Sequence, residues 1–591
     1  MMRGQSASGF FGADFGFVNG FDEMPDLLQN AQRLINWFPQ ADPDPRAKEQ
    51  LALLGCPGLN PVAQGAVGQV RGAWVLPGSQ KALVAISNML YVMAISVPAT
   101  QTSSPQFSLT QVGVLNTNSG PVVMRDNGVL TLGLGGYVLI VDGTFAYYYL
   151  ISGVPYINSF AGSLSIGSPT IIFPGSLPNG LIVASTPTLT DTGGVIPAGT
   201  KVSSVDTIGL TLTMSAPATG NSFVDQVTLT IPIFGQVTDP GFPSNPQRLW
   251  FIEGWLAVNQ GGTRSFQTSG PAPYSMLFPG LFNGLKDSST DNLITMMENN
   301  REAWLIGERT SEVWFNSGGT NFSFSRIPGV GPQIGCAALH SIARAGPQLC
   351  WLGRNEQGQN IVVVTSQYSW QKISTPAIDY AIAQYPVISD AIGYSYEEGG
   401  ELFYVLTFPT ADVTWVFDFT AAAINPAIAW HQRASYDPNT GLFHRHRSNC
   451  FMDFGDVRIV GDYQTGQLHQ MSRSFYTDAG APIRRVRRTP HQWLKATRER
   501  MFFSQLQVEF TPGVGLQTGQ GKIPQVMLRY SNDGGFTWSN EYWVTIGQAG
   551  NTKNRAIWRK LGQARDRVWE VNFTDPVQAD IIGCTCYAQA S

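Results

Sequence analysis

Residues 301–315 read REAWLIGERTSEVWF. Ala303, Leu305, Val313 and Phe315 alternate with other residues at period two on either side of GERTS. That is the pattern of two short strands joined by a tight polar turn. The theme recurs at KALVAISNMLYVMAI (81–95), VLTLGLGGYVLIVDGTFAYYYL (129–150) and RLWFIEGWLAVNQ (248–260). It returns at QLCWLGRNEQGQNIVVVT (348–365), GELFYVLTFPTADVTWVFDF (400–419) and VRIVGDYQTGQLHQM (457–471). Outside 156–240 the copies recur at about 45–55 residues, the length of one four-stranded propeller blade. Repetition around an axis buries the apolar faces of each blade and leaves few open strand edges. A pair of β-sandwiches is the competing arrangement.

Working outward, 156–240 interrupts the repeat with a nearly uncharged, hairpin-rich stretch such as IPAGTKVSSVDTIGLTLTMSAPATG (196–220). It reads as a small β module inserted on a propeller loop. From about 490, FSQLQVEFTPGVG (503–515), PQVMLRYSNDGGFTWSNEYWVTI (524–546) and DRVWEVNFTDPVQADIIGCTCYA (566–588) read as amphipathic strands of a further β domain. Residues 1–65 read as an arm, with a short helix expected in DEMPDLLQNAQRLINWFP (22–39) through Leu27, Leu28, Ala31, Leu34 and Ile35. The expected fold is therefore all-β. It comprises an arm (1–65), a β-propeller (66–155 and 241–485), an inserted module (156–240) and a C-terminal β domain (486–591).

Composition supports many short strands and large contacts. The 591 residues include 63 Gly and 37 Pro, which build turns. Only 13% are charged, about half the usual share, which fits a surface largely covered by neighbours. A net charge of −4 supplies no global field for nucleic acid or membranes. No run of 18 apolar residues occurs, and ALVAISNMLYVMAIS (82–96) reads as a hairpin broken at Ser87 and Asn88. The N-terminus lacks the pattern of a signal peptide. Six cysteines in such a length make no disulfide framework. Cys584 and Cys586 share one strand face, with no second Cys/His pair nearby to complete a metal site.

Two motifs point towards sugar chemistry. Ser531, Asp533, Gly535, Thr537 and Trp538 in SNDGGFTW (531–538) fit the Asp-box pattern S-x-D-x-G-x-T-W, which resembles a turn of sialidases. FSRIP (324–328) is close to the [FY]RIP signature that carries a substrate-binding arginine there, Arg326 in this chain. The Asp-box is a folding device, and it is read here as a structural turn. The chain offers no carboxylate pair at a defined glycosidase separation. HRHR (444–447) could hold a metal or phosphate, and the plainer reading is a polar strand at a subunit contact. LGLGG (132–136) lacks the following helix of a phosphate loop. In APIRRVRRTPHQWLKATRER (481–500), Arg484, Arg485, Arg487 and Arg488 are candidates for contact with DNA or another subunit. A solvated linker and a ladder of ion pairs to an acidic neighbour such as the N-terminal arm are the alternatives for that run.

Several stretches in order carry a family resemblance: GCPGL (55–59), GAWVLPG (72–78), VVMRDNG (122–128), QRLWFIEGWLAVN (247–259) and LIGERTSEVWFNSG (305–318). They continue through WLGRNEQGQ (351–359), FYVLTFPTADVTWVFD (403–418), WHQRASYD (430–437) and IVGDYQTGQLH (459–469), closing with YTDAGAPIRRVRR (476–488) and LRYSNDGGFTWSN (528–540). Together these resemble the packaged-DNA stabilisation proteins of short-tailed phages, also called tail hub or nozzle proteins. The resemblance implies a β-propeller subunit of a homohexameric ring in the virion tail, assembled in the host cytoplasm. The ring would sit below the portal and its adaptor, bear fibres or spikes, be closed by a needle or plug, and contact the genomic double-stranded DNA transiently during ejection. It implies no catalysis, no cofactor and no membrane insertion. The competing reading is a carbohydrate- or receptor-binding β protein, with a sialidase-like glycosidase behind it.

Overall fold

In the computed structural model every residue is described except 1–10, 14–15, 43, 45, 99–104, 129–135, 176–187, 207–208, 271–276, 320–321, 495–497 and 591. The start of the strand pair expected at 129–150, and all of LGLGG but Gly136, lie outside the described residues. Among those described, seven blades follow one another at 70–114, 123–236, 246–285, 293–326, 335–372, 392–437 and 448–472. REAWLIGERTSEVWF forms the middle hairpin of the fourth blade, with Glu302–Gly307 antiparallel to Ser311–Asn316. The 82–96 stretch likewise folds as Lys81–Ile86 against Met89–Val97, turning at Ser87 with φ 54°.

Apolar side chains alternate on both strand faces because each blade is sandwiched between two others. Leu83, Leu90, Ile140 and Tyr147 fill the space between the first and second blades. Val84, Ile86, Ile459 and Leu468 fill that between the seventh and the first. Burying one such aliphatic side chain is worth about 1.5–3 kcal/mol, so the ring is held by many modest contributions between neighbours.

The seventh blade takes its outer strand from the other end of the chain. Gly58–Gln64 pairs antiparallel with Gln467–Ser472, registering Leu59 with Met471 and Ala63 with Leu468. The next strand, Val70–Val75, is the innermost of the first blade. One continuous segment therefore ties the last blade to the first, and the propeller begins inside what the sequence suggested was an arm.

The rest of that segment builds the second domain. Trp37–Ala41 and Leu51–Gly55 join a sheet with Met501–Phe510, Ala556–Arg559 and Ile581–Ala590. Ala31–Ile35 enters the facing sheet beside Arg485–Arg488, which pairs in turn with Asp566–Phe573. Leu34, Trp37 and Leu53 share one core with Phe503, Val508, Trp569 and Phe573. The C-terminal domain is thus a two-sheet sandwich with N-terminal strands inside it. Ile35 also pairs parallel with Gln432, so the outer strand of the sixth blade is continuous with the sandwich sheet.

The helix expected in 22–39 is corrected: the segment forms strands Asp22–Glu23, Ala31–Ile35 and Trp37–Ala41 around a turn at Asp26. An isolated helix of that length is marginal in water, whereas strand pairing satisfies the backbone on both sides and buries Leu34 and Trp37 completely. Asn36, at φ 58°, fixes the bend by donating to the carbonyls of Ala434 and Arg484, each at 2.8 Å.

The interruption is a six-stranded module spanning Tyr156–Leu164 to Ser222–Ile231, after which Phe234–Gln236 returns as the outer strand of the second blade. Its Leu164, Ile171, Leu189 and Val227 run into the same apolar cluster as Leu139 and Leu249 of the adjoining blades. No helix among the described residues is long and apolar enough to cross a membrane.

A Cβ on Gly58 would lie 2.4 Å from the Phe475 carbonyl oxygen and 2.6 Å from that of Thr477. Gly58→Ala should therefore displace the closing strand and cost about 1–3 kcal/mol, as overpacking does. Gly331→Ala, with nothing within 4 Å, should be silent, and thermal unfolding of the two variants checks the difference.

Candidate functional site

The innermost strands of all seven blades converge on an axial channel of about 500 Å³. Its polar lining comes mainly from Arg71, Arg125, Arg248, Arg344, Glu298 and Asp453. That volume falls in the range of small-ligand pockets, roughly 300–1,000 Å³. It is too small to hold a stretch of double helix, whose major groove alone is about 12 Å wide and about 8.5 Å deep along its whole length. Arg71 is consumed by its surroundings: its guanidinium donates to the carbonyls of Ser87, Thr117, Ser119 and Gly120 at 2.6–3.0 Å. Arg125 lies 4.5 Å over the Trp74 ring and pairs with Glu298 at 3.1 Å. Burial lowers the Arg248 guanidinium to about 10 and, with Arg248 nearby, the His340 imidazole to about 3.

Neither sugar motif reaches this channel. Arg326 sits on Phe324–Arg326, the outermost strand of the fourth blade, and faces Asp287 at 3.9 Å. The Asp-box turn lies in the sandwich. There Ser531 Oγ donates to Asp533 at 2.6 Å, the Thr537 amide donates to Asp533 at 2.9 Å, and the Gly535 amide donates to Ser531 Oγ at 2.8 Å. Gly535 takes φ 107°, which a side chain would strain, and Trp538 Nε1 donates to its carbonyl at 3.0 Å. Hydrogen bonds from Ser531 and Thr537 hold the Asp533 carboxyl down at about 2.

The basic run and the Asp-box, far apart in sequence, meet in space. Arg488 and Arg529 lie 4.8 and 4.9 Å from the Trp538 ring centroid. Both pair with the buried Glu570, at 2.9 and 2.5 Å. Cation–π contacts and a shared carboxylate thereby lock the turn onto the sheet.

The contact reading of the four arginines is corrected for three of them. Arg485, Arg487 and Arg488 are buried within their own chain, where neither phosphates nor another subunit reach them. Arg487 donates to the Phe17 carbonyl at 2.6 Å and to Gln32 at 2.9 Å. Arg485 stands beside Cys56, Tyr476 and Asp580 around a cavity of about 80 Å³. Arg484 alone stays partly exposed, over the rings of Tyr436 and Phe443. The run staples the N-terminal segment, mostly through carbonyls and Gln32, with one ion pair from Arg488 to Glu23 at 3.6 Å. In HRHR the half-exposed His444 pairs with Asp412 and the buried His446 with Ser448, both at 2.7 Å. Cys584 and Cys586 are buried in the sandwich core. Among the described residues no group of three His, Cys, Asp or Glu side chains could hold a metal ion.

Sequence reasoning missed the axial arginines. The available signal was their recurrence on the innermost strands of the first, second, third and fifth blades, as Arg71, Arg125, Arg248 and Arg344.

Asp533→Ala should cost about 1–2 kcal/mol at neutral pH, the net worth of its hydrogen bonds. Because the folded carboxyl titrates below its unfolded value, that contribution is complete above about pH 4 and fades as pH falls through about 2. Urea unfolding of variant and wild type should therefore converge in acid. Arg487→Met leaves buried acceptors bare, at about 1–3 kcal/mol each. Limited proteolysis should then cut the chain before residue 36, where the wild type resists.

A family model described as "Bacteriophage P22 Gp10, beta-propeller" matches residues 218–476, and one described as "Bacteriophage P22 Gp10, beta-sandwich" matches 485–589. Together they cover more than half of the chain, and their two named folds are those found here. No curated protein matches the sequence. Among solved structures, the N-terminal domain of Nup159 matches at 9% identity, covering 75% of this chain and 99% of its own with a TM-score of 0.33. Kluyveromyces lactis Hsv2 matches at 9% identity over 64% and 96%, with a TM-score of 0.23. Likenesses that low say nothing of function. The seven blades, the sandwich they share a sheet with, and the two family matches lead to one conclusion: the chain belongs to the bacteriophage P22 Gp10 family, the structural tail hub proteins that its motifs resemble.

Proposed function

We propose that this chain is the hub or nozzle subunit of a short-tailed phage, assembled in the host cytoplasm as a homohexameric ring below the portal–adaptor. The ring extends the DNA channel, helps retain the packaged genome, and anchors fibres or spikes and the tail plug. The observation that carries this reading is the family match over both domains.

Two physical features support it. The propeller axis is too narrow for a duplex, so a conduit built from this chain needs a lumen bounded by several copies. The net charge of −4 suits a wall along which DNA slides without counterion-releasing attachment. Contact between copies has a candidate surface on the sandwich. Tyr542–Thr545 ends its sheet among the described residues, and Tyr542 and Trp543 are exposed there. Aromatic side chains at a sheet end are typical anchors of a subunit interface. Of the four arginines 484, 485, 487 and 488, Arg484 is the one left partly exposed and able to face DNA or a neighbour. The inserted module exposes Ile157, Ile166 and Ile172 and is the part we assign to gripping a fibre or accessory protein.

Native mass measurement of the purified chain with its adaptor tests the reading: a closed sixfold species is expected, and Tyr542→Ala/Trp543→Ala should weaken it at least about tenfold, as interface anchors do. A chain that stays monomeric and turns over a fluorogenic sialoside above buffer would overturn it. Particles lacking 156–231 should lose fibre occupancy, and full occupancy would remove that role from the module.

A further inference from the structure

We propose that the axial channel of the propeller binds a small oxyanion, inorganic phosphate in its simplest form, with Arg248 as the anchor. Arg248 lies on Pro246–Ile252, the innermost strand of the third blade, and lines the channel. It is only 8% exposed, yet its Nε has no hydrogen-bond partner. A guanidinium keeps its charge in proteins, and a buried charge left unpaired costs several kcal/mol. An acceptor is therefore missing, and the side chain is one of those that line the channel.

The channel's charge defines that acceptor. Arg71, Arg125, Arg248 and Arg344 face only Glu298 and Asp453 among the lining acids, a surplus of positive charge that disfavours a cation. Arg71 is spent on backbone carbonyls and Arg125 on Glu298 Oε1. Arg344 is exposed and gives its Nε to the Gly346 carbonyl. Arg248 thus stands as the buried guanidinium of the four with an unpaired Nε, with the Arg125 guanidinium and the His340 ring close enough to act on it or be acted on by it. Two oxygens of a tetrahedral oxyanion match a guanidinium fork. A phosphate held there would bridge the second, third and fifth blades, to which Arg125, Arg248 and His340 belong, and so clamp the ring across its axis. An apolar ligand would leave the charge unpaired, and a duplex does not enter.

The rival is internal. Glu298 Oε2 is also buried without a partner, and a small shift of either side chain would let it pair with Arg248 directly. Phosphate titration separates the two. The full-length chain is titrated with inorganic phosphate by phosphorus NMR line broadening, and its thermal midpoint is followed in phosphate against chloride at equal ionic strength. The expected result is saturable broadening and a saturable rise in midpoint. Arg248→Met should weaken both at least about tenfold, the loss of one charge-assisted pair, and Arg248→Lys should fall between. Should Arg248→Met not fold, displacement of phosphate by sulfate but not by chloride in the wild type supports the site. Phosphate no more effective than chloride, or equally effective on Arg248→Met, overturns it.

Discussion

Everything in this molecule depends on one pairing: strand Gly58–Gln64 against Gln467–Ser472. A ring of blades is stable only when its last member closes on its first, because an open ring would leave two apolar faces in water. Here a strand from near the N-terminus completes the final blade and leads directly into the innermost strand of the first. The cost of joining residues some 400 apart in sequence is largely loop-closure entropy, which grows only logarithmically with length. The apolar contacts on both sides of the closing blade offset it.

The same segment that closes the ring also builds the sandwich. Ala31–Ile35 and Trp37–Ala41 enter opposite sheets, and Ile35 pairs with the sixth blade. Propeller and sandwich are consequently joined by a continuous sheet as well as by a linker. This explains where the basic run went. Arg485, Arg487 and Arg488 occupy a central strand of that shared sheet, where Arg487 is met by carbonyls, Arg488 by Glu570 and the Trp538 ring, and Arg485 lies beside Asp580. Such an architecture keeps the two domains from parting under load.

The blades were legible because their signal is local: period-two alternation around polar turns such as GERTS and the Ser87 turn needs no distant partner. The SNDGGFTW turn was legible for the same reason, since the bonds of Ser531, Asp533 and Trp538 that shape it lie within eight residues. The arm was misread because Leu27, Ala31, Leu34 and Ile35 suit a helix stripe as well as a strand, and pairing partners more than 390 residues away decide between them. The arginines were misread likewise, Arg487 being buried by a carbonyl 470 positions distant. Arg248 gave no local signal at all. At the head of RLWFIEGW, within the strand Pro246–Ile252, it looks like an ordinary edge charge until ring closure gathers seven innermost strands around the axis.

A three-dimensional reconstruction of the virion tail with DNA in transit tests the central claim most directly. The account predicts duplex density in a lumen bounded by several copies of this chain, with every propeller axis free of DNA and the sandwiches in contact around the ring. Duplex density threading a single propeller, or this chain absent from the tail, would contradict it.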